Sequence, residues 1–189
     1  MIMNKQFKIG LFGSHGTGKS TLAKEVSNYF KIPLIDKTMR DMWQKYGISD
    51  FEKLPRQARK VFQYKAILNQ IQKEDVQKDG FVTDRTVIDN LAYTIDSSEI
   101  SDLELSFYKA LVKERLKTYS HLIYVPIEFT FEKEKLRASE KSQKSIALIM
   151  EKLTLEFFYT ETSKSKLLKV EGSLENRFRQ VKEFINLSK

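Results

Sequence analysis

Four of the seven glycines in this 189-residue chain, Gly10, Gly13, Gly16 and Gly18, fall within nine positions. Inside that cluster, Gly13-Ser14-His15-Gly16-Thr17-Gly18-Lys19-Ser20 satisfies GxxxxGK[ST] at every fixed position. Glycines permit the backbone conformations that turn successive N–H groups into one hollow, and a helix starting near Gly18 adds its positive dipole end. The hollow suits a polyphosphate. Lys19 is placed to act on the β- and γ-phosphates and the Ser20 hydroxyl to ligate a bridging Mg²⁺, so the expected ligand is ATP with Mg²⁺, held by Gly13 to Thr21. His15 occupies a variable slot of this loop and carries no assigned chemistry. Phe7 to Phe12 reads as a strand before the loop, and Leu22, Val26, Tyr29 and Phe30 recur at helical spacing after it.

The remaining pattern repeats that alternation. Ile32 to Ile35 is a short apolar run closed by Asp36. A long helix is expected from Arg56 to Lys78, with Ala58, Val61, Leu68 and Ile71 as its apolar face, ended by Asp79-Gly80. Phe81-Val82-Thr83 is the next strand. Ser101-Asp102-Leu103-Glu104 matches a capping box and predicts a helix burying Leu103, Phe107, Ala110 and Leu111. His121 to Val125 reads as a strand. Ile146, Ile149, Met150, Leu153 and Phe157 mark a further helix, followed by a strand from Leu167 to Val170. After Gly172, Ser173 caps a last helix carrying Leu174, Phe178, Val181 and Ile185. Five short apolar strands, each returned by a helix, imply a single α/β domain over residues 1–189 built on a five-stranded parallel sheet covered on both faces.

A magnesium site needs a second oxygen anchor at the tip of a neighbouring strand, and Asp84 stands where the run Phe81-Val82-Thr83 ends. Arg85 follows it, a planar donor suited to a phosphoryl oxygen or a substrate group. Asp36 closes the second strand, which the usual winding would set beside the phosphate-loop strand. It is the candidate general base for an acceptor hydroxyl. Arg40, four residues on, is expected one helical turn away on the same face, facing the acceptor. Residues 128–144 carry nine charges in seventeen positions, with Arg137 as their only arginine, and read as a hinged lid bringing cations over the phosphates.

Composition narrows the chemistry. No cysteine and two histidines leave no thiolate metal site, disulfide or cysteine nucleophile, which points to a reducing, cytoplasmic setting. No run approaches a membrane-spanning length, and the N-terminus lacks a signal-peptide core, so neither secretion nor a membrane span is expected. The net charge is +8, and residues 1–94 hold sixteen Lys and Arg against ten Asp and Glu, which favours anionic partners. The GTPase motifs NKxD and DxxG and the transporter-ATPase signature LSGGQ are absent. A small kinase is the best remaining reading. A nucleic-acid-associated ATPase, or a kinase acting on a modified DNA base, is the alternative that the basic first half supports.

Gly13 to Ser20 with Thr21, the segment Asp84-Arg85-Thr86-Val87-Ile88-Asp89-Asn90-Leu91-Ala92-Tyr93, Gln70 and Glu74 on the preceding helix, and Gly172 to Arg177 resemble the small P-loop nucleoside and nucleotide kinases. The likeness is to the AAA_28-like group that includes the ribosylnicotinamide kinase domain. The resemblance implies a P-loop NTPase fold with a lid, ATP and Mg²⁺ in the loop, and transfer of the γ-phosphoryl group to a nucleoside- or nucleotide-like acceptor. It sets Asp84 on the metal and Arg85 with Asp89 towards the substrate, and gives Lys19, Arg85 and a lid cation such as Arg137 catalytic roles. Asp36 and Arg40 stand roughly where relatives carry a Glu and an Arg on the acceptor side. A homodimer is compatible with this reading.

Overall fold

The structure, a computed structural model, describes residues 7–36, 38–51, 53–97, 99–128, 140–159 and 166–187. Along the chain run β1 (Lys8–Phe12), α1 (Lys19–Phe30), β2 (Leu34–Ile35), α2 (Thr38–Lys45), α3 (Arg56–Asp75) and β3 (Phe81–Asp84). They are followed by α4 (Val87–Ser97), α5 (Asp102–Leu116), β4 (His121–Tyr124), α6 (Glu140–Phe157), β5 (Leu167–Lys169) and α7 (Leu174–Leu187). The five strands form one sheet in the order β2-β3-β1-β4-β5, with every pairing parallel. This is the expected α/β architecture.

Strand residues alternate between two apolar layers. Ile9, Leu11, Val82, Ile123 and Val170 join Leu22, Ala23 and Val26 of α1 and Val181 and Ile185 of α7. Phe12, Phe81, Leu122 and Tyr124 join α3, α4, α5 and α6 on the opposite face. Each fully buried aliphatic side chain in these layers contributes about 1.5–3 kcal/mol by leaving water. Gly10 matters to the second layer: a Cβ there would stand 2.7 Å from Thr86 Cγ2 and 2.9 Å from Tyr119 Cε1. Its bare backbone lets the start of α4 and Tyr119 close onto β1.

The sheet order corrects one expectation. β2 does not lie beside the phosphate-loop strand; it pairs with β3, Leu34 opposite Val82 and Ile35 opposite Thr83. Both edges of β1 are taken, by β3 and β4, and the chain leaving α1 joins the sheet at the outer edge of β3 instead.

Two helices are rotated relative to their expected faces. On α3 the buried positions are Phe62, Gln63, Ala66, Ile67, Gln70 and Glu74, whereas Ala58, Val61 and Leu68 face solvent. The true face was hidden because half of it is polar. On α5 Tyr108, Val112 and Leu116 are buried, while Leu103 and Phe107 are exposed, Phe107 at 71%. The capping box at Ser101 and Glu104 forms as expected. Helix α4 has no one-sided stripe to reveal it: its residues from Val87 to Leu91 are all buried, because it is wedged between α3 and α6. Helix α6 starts at Glu140 and buries Ile146, Met150, Leu153 and Phe157 as expected, so residues 140–144 of the expected lid are helical. Residues 129–139, with Arg137, lie outside the described residues.

Candidate active site

The phosphate loop joins the C-terminal end of β1 to α1 across the crevice edge of the sheet, where ligands of open α/β folds bind. Gly13, Gly16 and Gly18 all have positive φ, 147°, 75° and 84°. At Gly13 a side chain would also run into the Val125 carbonyl oxygen, so glycine is required twice over. Gly18 is the residue preceding α1, whose unpaired N-terminal amides face the same hollow.

Lys19, only 6% exposed, donates from Nζ to the Ser14 carbonyl at 2.7 Å. The same carbonyl accepts the Thr17 hydroxyl at 3.1 Å. Burial pushes the Lys19 pKa down and Arg85 adds to that effect, with Asp89 and Asp84 opposing it. The Ser14 hydroxyl is buried and makes no hydrogen bond among the described residues. A buried ammonium and an orphaned hydroxyl in a ring of backbone amides form a cradle that an oxyanion satisfies.

Ser20 Oγ donates to Asp84 Oδ2 at 2.5 Å, joining the helix-side and strand-side oxygens that the sequence separates. Among the described residues no three His, Asp or Glu side chains converge into a protein-only metal cage. One hydroxyl and one carboxylate beside a phosphate cradle fit Mg²⁺, which keeps waters and takes most of its other ligands from substrate phosphates.

Arg85 has φ 114°, a conformation that costs a non-glycine residue on the order of 1–3 kcal/mol. Its Nη2 lies 3.0 Å from His15 Nε2, and the guanidinium sits over the Tyr93 ring at 5.2 Å from the centroid. His15 meets Tyr93 edge-on. Burial pushes the Tyr93 hydroxyl up to about 12. No carboxylate within salt-bridge distance neutralises Arg85 among the described residues, which leaves a cation open to an anion beside Lys19.

Asp89 reaches the loop from within rather than from the ligand side. Its carboxylate is 0% exposed; Oδ1 accepts the Gly13 N–H at 3.2 Å, and Oδ2 accepts the Thr86 N–H at 2.7 Å. Burial raises its pKa, against the pull of Lys19 and Arg85 and of these two amides. A substrate contact would have to displace those bonds.

The β2–β3 register, carried one residue onward, sets Asp36 level with Asp84, beyond β3 and away from the phosphate loop. Asp36 also precedes α2, which begins at Thr38, so it does not share a helix face with Arg40. The Arg40 backbone lies in the first turn of α2, and its side chain is outside the described set.

The AAA_28 family, described as an AAA domain, matches residues 8–177. The chain belongs to this family. No curated protein matches it by sequence. Among solved structures the AAA_28 chain is similar to deoxyadenosine kinase from M. mycoides with the products dCMP and dCDP, at TM-score 0.71 and 15% identity, covering 96% of this chain and 100% of that one. It is also similar to NadR protein in complex with NR, at TM-score 0.72 and 14% identity over 97% of this chain. There it spans only 50% of NadR's length. Thymidylate kinase from Candida albicans aligns at TM-score 0.61 and 16% identity, over 96% of this chain and 92% of that one. The AAA_28 chain thus shares the fold of nucleoside and nucleotide kinases. No described helix is long and apolar enough to cross a membrane.

A further contact of this AAA_28 protein with the phosphate loop comes from Arg177, which closes the Gly172 to Arg177 segment of the resemblance but has no role assigned from sequence. Arg177 on α7 is 3% exposed, and its Nη1 donates to the Thr17 carbonyl of the phosphate loop at 2.6 Å. Its Nη2 pairs with Glu128 at 2.8 Å, and Glu128 also accepts the Gly172 N–H at 2.8 Å. The signal was present: Arg177 precedes Val181 and Ile185 by four and eight residues, a charge on the apolar face of α7.

Proposed function

We propose that the protein is an ATP-dependent phosphotransferase that moves the γ-phosphoryl group to a hydroxyl of a nucleoside-like acceptor. The observation that carries this reading is the 2.5 Å approach of Ser20 Oγ to Asp84 Oδ2 beside a phosphate loop that already holds a buried Lys19 and faces Arg85. Bound there, ATP with Mg²⁺ supplies the phosphoryl group and charge neutralisation across its phosphates. Ser20 and Asp84 would hold the metal. Lys19 would draw charge from the β- and γ-phosphates, and the Gly13 to Thr21 amides would fix their direction.

On the acceptor side, the attacking oxygen forms its bond to phosphorus as the bond to the ADP oxygen breaks. The hydroxyl proton passes to the Asp36 carboxylate, which stands across β3 from the loop. Arg85 meets the transferring group from the Asp84 side, and Arg40 and the lid cation Arg137 complete the acceptor and phosphate contacts. The ligands of the similar structures, deoxynucleotides in one and NR in another, agree with a nucleoside-like acceptor.

The test is a panel of nucleosides, nucleoside monophosphates, nicotinamide riboside and DNA incubated with γ-labelled ATP and Mg²⁺. Label is expected on a nucleoside-like hydroxyl in the parent and none with Lys19→Ala, in a protein that still folds. Full transfer by a folded Lys19→Ala variant sinks the reading. Label on DNA alone would favour the nucleic-acid alternative.

A further inference from the structure

The positive φ of Arg85 is held by a buried apparatus on both sides of the Arg85–Thr86 peptide. The Arg85 carbonyl accepts the Thr83 hydroxyl at 2.8 Å and Gln70 Nε2 at 3.2 Å. The Arg85 N–H donates to the Leu11 carbonyl on β1 at 3.1 Å. On the far side of the peptide, the Thr86 N–H is taken by Asp89, which reaches on to Gly13.

Gln70 is anchored in turn. Its Nε2 lies 2.6 Å from Glu74 Oε1 and 2.8 Å from Thr83 Oγ1. Glu74 Oε1 accepts the Tyr119 hydroxyl at 2.5 Å, and its Oε2 accepts Arg115 Nε at 2.9 Å. Gln70, Glu74 and Thr83 are each 1% exposed or less. An amide and a carboxylate on the core face of α3 are expensive to desolvate, and apolar side chains of similar volume would serve stability equally well. Among the described residues, every hydrogen bond from Gln70 Nε2 ends on β3, on the turn after it, or on the carboxylate that orients its own amide.

We propose that Thr83 and Gln70 are positioning residues: their bonds to the Arg85 carbonyl clamp the Arg85–Thr86 peptide and so hold the Arg85 guanidinium against His15 and Tyr93, facing the phosphate loop. The consequence for catalysis rests on the phosphotransferase reading above, but the clamp itself does not. Released from it, Arg85 relaxes to an ordinary negative φ, which redirects its Cα–Cβ bond and carries the guanidinium away from the loop. The phosphate loop keeps its own bonds, so ATP binding survives while the transfer step suffers.

Thr83→Val keeps the shape of the side chain and removes only the hydroxyl, whereas Thr83→Ser keeps the hydroxyl and removes a methyl. Amide hydrogen exchange at Arg85 and Thr86, followed by NMR, is compared in parent, Thr83→Val, Thr83→Ser and Gln70→Leu, together with kcat and KM for ATP on the accepted panel substrate. Thr83→Val and Gln70→Leu are expected to speed exchange at these two amides about tenfold. They are expected to lower kcat roughly 10- to 100-fold with KM for ATP within about twofold of the parent, while Thr83→Ser stays near the parent in both readouts. Parental exchange in Thr83→Val overturns the proposal, as does a parental kcat in it, or an equal loss in Thr83→Ser, which would mark a packing role. If the parent transfers no label to any panel member, the phosphotransferase reading fails and the exchange comparison still decides the clamp.

Discussion

The guanidinium of Arg177 donates to the Thr17 carbonyl at 2.6 Å across 160 residues of sequence, fastening the last helix to the phosphate loop. The same side chain pairs with Glu128, the first residue of the expected lid. One buried cation therefore ties the loop, α7 and the start of residues 128–144 together.

Arg177→Leu removes both bonds and leaves the Thr17 carbonyl and the Glu128 carboxylate without that partner. A loss of about 2–4 kcal/mol is expected by chemical denaturation, with a raised KM for ATP because the loop loses its outer support. Glu128→Gln should cost less than about 1 kcal/mol, since Glu128 is partly exposed and water screens the pair. Equal losses in the two variants would show that the Thr17 bond contributes nothing.

Asp84→Asn keeps the side-chain volume and removes the charge that accepts the Ser20 hydroxyl at the proposed metal position. The Mg²⁺ activation curve is expected to move to higher concentration by roughly tenfold or more, with Tm nearly unchanged. A variant whose Mg²⁺ curve overlays the parent's would reduce Asp84 to a turn residue.

Asp36→Asn separates the acceptor classes. A hydroxyl acceptor must lose its proton during attack, so kcat should fall by about 10² or more. A phosphate acceptor is already anionic and needs only cations. A retained rate in Asp36→Asn, combined with an Arg40→Ala variant that raises KM for a monophosphate, identifies a nucleotide kinase and rejects the nucleoside-like acceptor.

The capping box on α5 supplies a pH-dependent contribution to stability. Bonds from Lys60, then from the Ser101 amide and hydroxyl, lower the Glu104 pKa from 4.5 to about 2. A carboxyl with a depressed folded pKa stabilises above its unfolded value, and that stability is lost as pH falls through the folded value. The Tm difference between parent and Glu104→Gln is thus expected to be constant above about pH 5 and to shrink as pH approaches about 2. A difference that holds its size across this window would show that the carboxylate charge is not what the cap uses.

The phosphate loop was legible in the sequence because everything that makes it is local. Gly13, Gly16 and Gly18 need only their own φ angles, the α1 dipole needs only the next turn, and Lys19 and Ser20 follow within two residues of Gly18. Asp84 was legible for a similar reason: the end of an apolar run marks the end of a strand, and strand ends line the crevice. The parallel sheet followed from strand-helix alternation, since parallel neighbours require long crossovers.

What only the tertiary structure decided is which surfaces meet. Strand order depends on which edge remains unpaired, and with both edges of β1 occupied, β2 and Asp36 went to the outer edge of β3. Helix rotation depends on the summed burial of a whole face, so α3 could turn Gln70 and Glu74 inward because Thr83, Arg115 and Tyr119 were waiting to bond them, while Val61 and Leu68 went to water. Arg177 was drawn to the loop by a carbonyl 160 residues away. Each outcome is set by partners far apart in the chain, whose approach no pattern of a few residues can encode.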